Sequence, residues 1–151
     1  MINRMDNNVE ILFKGQQYKK IYERLFNQIS KKYGLTMIEI EILLFLEKNQ
    51  SYDTAKDIVE LKFYAKSHVS KAIDSLIHKG YVLGNLDEQD RRCIHLKIAD
   101  AAEQIVREAN EIRNNLINIL YKDMTWEEKK LMESVAKKVA NNIKEALEKD
   151  E

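Results

Sequence analysis

Proline is absent from all 151 residues and glycine occurs only four times. A chain of average composition carries about 5% proline, so little here would interrupt a helix, and long continuous helices are expected. A single cysteine excludes an intramolecular disulfide and suits a reducing compartment. No apolar run approaches the roughly 18 residues that mark a membrane-spanning helix. The amino terminus, MINRMDNNVEILF, lacks the basic-then-apolar order of a secretory leader. A cytoplasmic protein with no membrane contact is expected. The three histidines, His68, His78 and His95, are dispersed, so neither a metal site nor a cofactor site can be read. G-x-S-x-G, P-loop and G-x-G-x-x-G patterns are missing as well. No enzyme is expected.

Charge is balanced overall, with 25 basic and 25 acidic side chains, which argues against a general polycation. Its distribution is uneven. Residues 62–99 hold seven basic and four acidic side chains, while residues 100–151 hold nine and twelve. The positive excess falls on the segment that carries the most informative pattern.

That segment is SHVSKAIDSLIHKGYVLGNLDEQDRRCIHLKI, from Ser67 to Ile98. Val69, Ile73, Leu76 and Ile77 share one face at helical spacing. Ser67 is a candidate cap and Gly80 a stop. Two alternating stretches follow, Tyr81–Leu86 and Cys93–Ile98, joined by the charged loop DEQDRR. Ile94, Leu96 and Ile98 are expected to face inward, with Cys93, His95 and Lys97 outward. A polar-faced helix followed by a ribbon with two arginines near its tip has the parts of a winged helix. The helix suits the major groove of DNA and the ribbon suits backbone or minor groove.

The rest of the chain is helical in pattern. Residues 8–33 read as one helix with Tyr18, Tyr22, Leu25 and Ile29 on a narrow seam, ended by Gly34. Thr36 with Glu39 reads as a capping box before Ile38, Ile42, Leu43, Phe45 and Leu46. Thr54 with Asp57 repeats the signal before AKDIVELK, and a turn is expected at 63–66. A long helix runs from Asp100 to about Tyr121 through Ile105, Ala109, Ile112, Leu116 and Ile119. Thr125 and Glu128 form a third box before a helix with Leu131, Val135, Val139, Ile143 and Leu147 every four residues. The expected class is mainly α with a small β-hairpin wing. A single domain over 1–151 is expected, with a winged helix-turn-helix core at 36–99. The helices of 1–35 and 100–151 carry surplus apolar seams suited to a second copy.

Two motifs, Leu76-Ile77-His78-Lys79-Gly80-Tyr81-Val82 and Asp87-Glu88-Gln89-Asp90-Arg91-Arg92, occur at the right separation in the right helix order. On these the chain resembles the MarR family of winged-helix transcriptional regulators over nearly its whole length. Departures are Gly84 for a frequent basic residue, Ala99 for a capping threonine, which leaves the cap to Asp100, and Ala102 for a frequent glycine. The resemblance implies a homodimeric, sequence-specific regulator of double-stranded DNA. Its usual form is a repressor on a pseudo-palindromic operator, relieved by a small apolar or anionic effector. Ser67, His68, Ser70 and Lys71 become the candidate contacts of the reading helix, against the plainer reading of a solvated face. Arg91 and Arg92 become the wing contacts, with Arg92 favoured for the minor groove and Asp90 as their support. Tyr22, Phe26 and Phe45 are candidates for an effector cavity. Cys93 lies beside two arginines, which would lower its thiol pKa. Redox-sensing relatives, however, place their cysteine in the first helix, so an incidental role is expected. The competing function is a winged-helix protein-interaction module without specific DNA binding.

Overall fold

The computed structural model describes residues 7–62 and 64–149. The ends of the expected dimerisation segments, at 1–6 and 150–151, and Phe63 of the expected turn lie outside the described residues. The order is α1 (Asn7–Lys14), α2 (Gln16–Tyr33), α3 (Met37–Lys48), α4 (Ala55–Lys62), α5 (Lys66–His78), β1 (Val82–Leu86) and β2 (Ile94–Ile98). A 3-10 turn at Asp100–Ala102 leads to α6 (Glu103–Leu120) and α7 (Trp126–Glu148). The mainly α class with a β-hairpin wing is as the sequence implied. Two compact units are present, one ending at Asn114 and the other beginning at Asn115.

The helix expected over 8–33 is in fact two. Gly15 adopts φ 68°, a left-handed geometry that ends α1 before α2 begins. Gly34, at φ 64°, closes α2 as expected. The Leu35 amide then reaches back to the Ser30 carbonyl at 3.0 Å, and the Ser30 hydroxyl donates to the Leu35 carbonyl at 2.6 Å.

Only half of the Thr36 box forms. Thr36 Oγ1 accepts the Glu39 amide at 3.3 Å, but the Glu39 carboxylate turns inward. It meets Lys79 Nζ at 2.9 Å and is 4% exposed. Lys79 also donates to the Gly34 carbonyl at 2.7 Å. One ammonium thus ties the end of α5 to the α2–α3 corner. The neighbours of Glu39 explain its burial, since Ile40, Ile42, Leu43, Leu44, Phe45 and Leu46 are all buried too. A helix that is apolar nearly all round is a central helix.

The Thr54–Asp57 cap forms in both directions, with Thr54 N to Asp57 Oδ2 at 3.1 Å and Asp57 N to Thr54 Oγ1 at 3.2 Å. The Thr125–Glu128 box is complete. Ser67 is not a cap: α5 starts earlier, Ala65 holds the capping position without a side-chain bond, and Ser67 sits in the first turn. Nor does Asp100 cap; Ala99 precedes the 3-10 turn with no side-chain bond.

In the first unit, α3 packs on α2, α5 and β2, while α5 packs on α4 and β1. Phe26, Ile40, Leu43, Ile58, Val69, Leu76, Val82 and Ile105 are among the deeply buried residues of its core. β1 and β2 pair antiparallel from Val82↔Ile98 to Leu86↔Ile94. Each strand begins one residue later than its pattern suggested. Leu96 is buried, but Ile94, near the wing's far end, is 45% exposed and not inward as expected. The Asp53 carbonyl accepts the Leu96 amide at 2.8 Å, which anchors residue 53 to β2. Gly84 is crowded, since a Cβ there would stand 3.1 Å from Ile94 Cγ2. A larger residue at this position would press on the ribbon. Between α2 and α6, Glu108 accepts from Lys32 Nζ (2.8 Å) and the Tyr33 hydroxyl (2.9 Å). With Gln104 these hold its carboxyl down to about 2, Lys32 contributing most.

The second unit holds the end of α6, with Leu116 buried, and all of α7, none of whose residues is buried. Leu131, Val135, Ile143 and Leu147 are 49–65% exposed. No described helix is long and apolar enough to cross a membrane.

Lys79→Met leaves the Glu39 carboxylate buried beside an apolar chain. Because Lys79 retains 31% side-chain exposure, the expected loss is about 2–3 kcal/mol, below the range for fully buried pairs. Adding Glu39→Leu should recover at least half of it. Urea unfolding with an unchanged m-value checks both; a Lys79→Met loss under about 0.5 kcal/mol contradicts the assigned role.

Candidate nucleic-acid interface

α5 presents two faces. Val69, Ala72, Ile73 and Leu76 are buried, while Ser67, His68, Ser70 and Lys71 are exposed around its amino-terminal half. The helix can therefore be approached only from its polar side. The four candidate contact residues all lie on that accessible surface.

The wing loop is built by its aspartates. Asp87 Oδ1 accepts the amides of Gln89 (2.8 Å) and Asp90 (2.9 Å). Asp90 Oδ1 accepts the Arg92 amide at 3.0 Å. The loop closes through Asp87 N to Cys93 O at 2.9 Å and Cys93 N to Asp90 O at 3.0 Å. Asp90 therefore supports Arg92 through its backbone, leaving the guanidinium unengaged by this carboxylate. Both arginines are exposed and neither forms an ion pair among the described residues. Ser70 of α5 and Arg92 of the wing border one groove, which also takes in Lys56 at the start of α4 and Asp74. Lys56 was not singled out from the sequence. Its signal was a basic residue in the first turn of the helix preceding the reading helix.

Behind the loop lies a constellation the sequence did not reveal. His95 stands between two carboxylates, Nδ1 to Asp53 Oδ1 at 2.8 Å and Nε2 to Asp87 Oδ2 at 2.7 Å. Carboxylates only accept, so both ring nitrogens donate and the ring is an imidazolium. The bonds from Asp53 and then Asp87 raise the His95 pKa to about 9. The same imidazolium, with the Gln89 and Asp90 amides, holds Asp87 down to about 2. Asp87 and Cys93 lie just beyond the last strand pair, Leu86↔Ile94, two residues from Asn85 and His95 respectively, but Asp53 is 42 residues away in sequence.

Cys93 departs from expectation. Its thiol is pushed up, not down, first by burial and then by the charges of Asp87, Asp90, Asp53 and Asp57. Burial and these carboxylates set the direction, and the two arginines are exposed.

Of the three effector candidates, Tyr22 borders a described cleft, while the other two lie in the core. Phe26 is fully buried and Phe45 is 4% exposed, both in the core. Tyr22 stacks on Phe26 at 4.5 Å between centroids and borders a cleft of about 390 Å³ with Tyr18, Met37, Ile38, Tyr64 and His68. Burial and the nearby Glu41 carboxylate raise both phenols, Tyr64 to about 12.

A buried helix-turn-helix, an outward polar face on its second helix and a two-stranded wing define a winged-helix regulator. The model of the family "Transcriptional regulator SarA/Rot" matches residues 24–109, more than half of the chain. The chain belongs to this family of transcriptional regulators. It is 20% identical over 118 residues to the transcriptional repressor MprA of Escherichia coli strain K12, covering 78% of this chain and 67% of MprA. It is 25% identical over 132 residues to YwaE of Bacillus subtilis strain 168, an uncharacterized HTH-type transcriptional regulator, covering 87% and 75%. Its fold is similar to a MarR protein from Peptoclostridium difficile DA00132, with TM-score 0.80, 22% identity and 100% and 97% of the two chains covered. It is also similar to the protein of the S. aureus MepR–DNA complex, with TM-score 0.76, 17% identity and 93% and 99% coverage.

If the aspartates build the wing as described, Asp87→Ala should speed amide exchange at Gln89 and Asp90 by about tenfold, the value of roughly one hydrogen bond to a charged group. Asp90→Ala should do so at Arg92 and leave Gln89 alone. Residue-resolved hydrogen exchange reads this directly, and uniform exchange across the loop in all three proteins would contradict it.

Proposed function

We propose that the protein is a homodimeric, sequence-specific DNA-binding repressor that reads a two-fold symmetric operator. The observation that carries this reading is the shared groove: the exposed face of α5 and the arginine-bearing wing tip border one surface, with Ser70 and Arg92 both on its rim. Ser67, His68, Ser70 and Lys71 are the base-edge and phosphate contacts of the major groove. Arg92 enters the minor groove or grips its backbone, Arg91 takes phosphate, and Lys56 adds a phosphate contact at the flank. No chemistry is performed; occupancy is the function. The repressor sign rests on the similarity to MprA, which is named a transcriptional repressor.

Dimerisation is supported by apolar surface. Leu131, Val135, Ile143 and Leu147 of α7 and Leu12 and Phe13 of α1 are large exposed hydrophobics, more than a soluble monomer commonly leaves in helical rows. The division proposed is a reading core at 36–99 with dimerisation helices at 1–35 and 100–151. A small apolar molecule in the Tyr22 cleft is the proposed effector, since Tyr22, Met37, Ile38 and Tyr64 supply a mostly apolar wall and the Glu23 and Glu41 carboxylates beside it disfavour an anion. It relieves repression by favouring a spacing of the reading helices that misses the operator.

Two outcomes follow. Arg92→Ala should weaken binding to matched and scrambled sites alike and reduce the salt slope by about one. Lys71→Ala and Ser70→Ala should alter preference at particular base pairs by about 1–3 kcal/mol. Binding isotherms at several salt concentrations separate the two behaviours. Unaltered DNA binding in both Arg92→Ala and Lys71→Ala would favour a protein-docking role instead.

Leu131→Glu with Ile143→Glu should convert the dimer to monomer at micromolar concentration without loss of helix content, because both side chains are exposed within the chain. Sedimentation equilibrium with circular dichroism is the check. A wild-type monomer, or an undisturbed double variant, removes α7 from the interface.

A further inference from the structure

The three residues behind the wing loop differ in donor type. Cys93 offers sulfur, His95 nitrogen and Asp87 oxygen, and their ligand atoms all lie within 4.8 Å of one another. In a tetrahedral zinc site with bonds of ~2.0–2.3 Å, ligand atoms stand roughly 3.3–3.7 Å apart. Small side-chain rotations close the wider separations. The 2.7 Å contact between His95 Nε2 and Asp87 Oδ2 is the one that must open, as an ion enters where the shared proton now sits.

We propose that the root of the wing binds a zinc-class divalent cation through Cys93 Sγ, His95 Nε2 and Asp87 Oδ2, with water as the fourth ligand. The mixed sulfur, nitrogen and oxygen set selects against magnesium and calcium, which take oxygen. Two further features distinguish it from a chance cluster. Asp53 Oδ1 already holds His95 Nδ1 at 2.8 Å, the outer carboxylate that orients a metal-bound imidazole and raises its basicity. Asp53 is itself fixed by its backbone bond to Leu96. The two oxygens of Asp87 divide their tasks as well. Oδ1 is committed to the Gln89 and Asp90 amides, while Oδ2 faces the ring. The negative charges of Asp87, Asp90, Asp53 and Asp57 all bear on the thiol and favour positive charge at this position. On binding, the thiol and Nε2 each release one proton to solvent, so the site exchanges two protons for the dication.

The consequence is local. Asp87 and Cys93 are the two ends of the loop that carries Arg91 and Arg92. An ion bound to both cross-links that loop at its base, in line with the Asp87 N to Cys93 O bond already present. This site stands on its own geometry and does not depend on the DNA reading above.

The test uses the untagged full chain, stripped with chelator, kept reduced with a phosphine and titrated with Co²⁺ as an optical probe. One equivalent should give tetrahedral d–d bands and a thiolate-to-cobalt charge-transfer band, both bleached by one equivalent of Zn²⁺. Cys93→Ser should abolish the charge-transfer band. His95→Gln should weaken Co²⁺ binding at least tenfold. Asp53→Asn should weaken it by about 10–100-fold while keeping the charge-transfer band, the signature of an outer-carboxylate role. His78→Gln should match wild type, and circular dichroism confirms that each variant folds. Absence of a charge-transfer band in wild type, the same band in Cys93→Ser, or equal affinity in His95→Gln overturns the proposal.

Discussion

The pose of α5 depends on one half-buried ion pair. Glu39 is a carboxylate in a helix that is otherwise apolar nearly all round, and at 4% exposure it has little water to solvate it. Its partner Lys79 sits immediately after α5 and spends two of its donors at once, on Glu39 and on the Gly34 carbonyl. Such a pair gives little net stability, because both desolvation costs must be met. Its contribution is geometric. The α2–α3 corner, the start of α3 and the end of α5 are held at one point, so α5 cannot slide or roll without stranding a charge. Gly80 then turns the chain out at φ 79°, a geometry that a residue with a Cβ adopts at a cost. β1 follows directly. The outward aim of Ser67, His68, Ser70 and Lys71 is therefore set from the opposite end of their helix.

How much of this was legible in the sequence follows the range of each interaction. Gly34 and Gly80 as helix stops, the Thr54–Asp57 cap and the Thr125–Glu128 box were all readable, because their hydrogen bonds close within a few residues. The Thr36–Glu39 box has the same spacing and half failed, because Glu39 had a better partner 40 residues on. Ser67 looked like a cap, yet α5 gained a turn's start from Ala65 and Lys66, where sequence preference is weak. Gly15 gives no stop signal on its own, because helical pattern lies on both sides of it and an isolated glycine does not by itself end a helix. The MarR-type motifs recovered the wing and its arginines. Nothing local could pair His95 with Asp53, since that contact exists only once residue 53 lies along β2. The expected direction of the Cys93 thiol is reversed first by burial and then by Asp87 and Asp90 of its own loop, with Asp53 adding less.

The wing is a mixture of signs with a spatial order. Most of its acidic groups are committed: Asp87 to two amides and an imidazolium, Asp90 to the Arg92 amide, Asp53 to His95, while Glu88 is exposed on the loop. Its arginines face outward with no ion pair among the described residues. A loop whose carboxylates were free would neutralise its own arginines and repel phosphate. Here the aspartates' hydrogen bonds shape the loop, and the two arginines are left at the tip without an ion pair among the described residues. This accounts for how a chain of zero formal charge can present a basic edge to a polyanion, and for the weakness of net charge as a guide to partners.

The same economy bears on symmetry. A single winged helix offers few contacts, and the loop here supplies two arginines rather than a long basic arm. Phosphate contacts add in the exponent of the salt dependence, so doubling them through a second copy multiplies affinity far more than lengthening one wing would. In the proposed dimer, the exposed apolar row of α7 provides that second copy, with the two reading helices about one DNA turn, ~34 Å, apart. A core pinned at the Glu39–Lys79 pair resists reshaping to track a different spacing. Adjustment must then fall on the helices outside residues 36–99, and an effector acting on spacing works best where the reading core meets them. The cleft at Tyr22 is bordered by Tyr18 of α2, outside that core, and by Met37 and Tyr64 within it, which is where a ligand would have leverage over both.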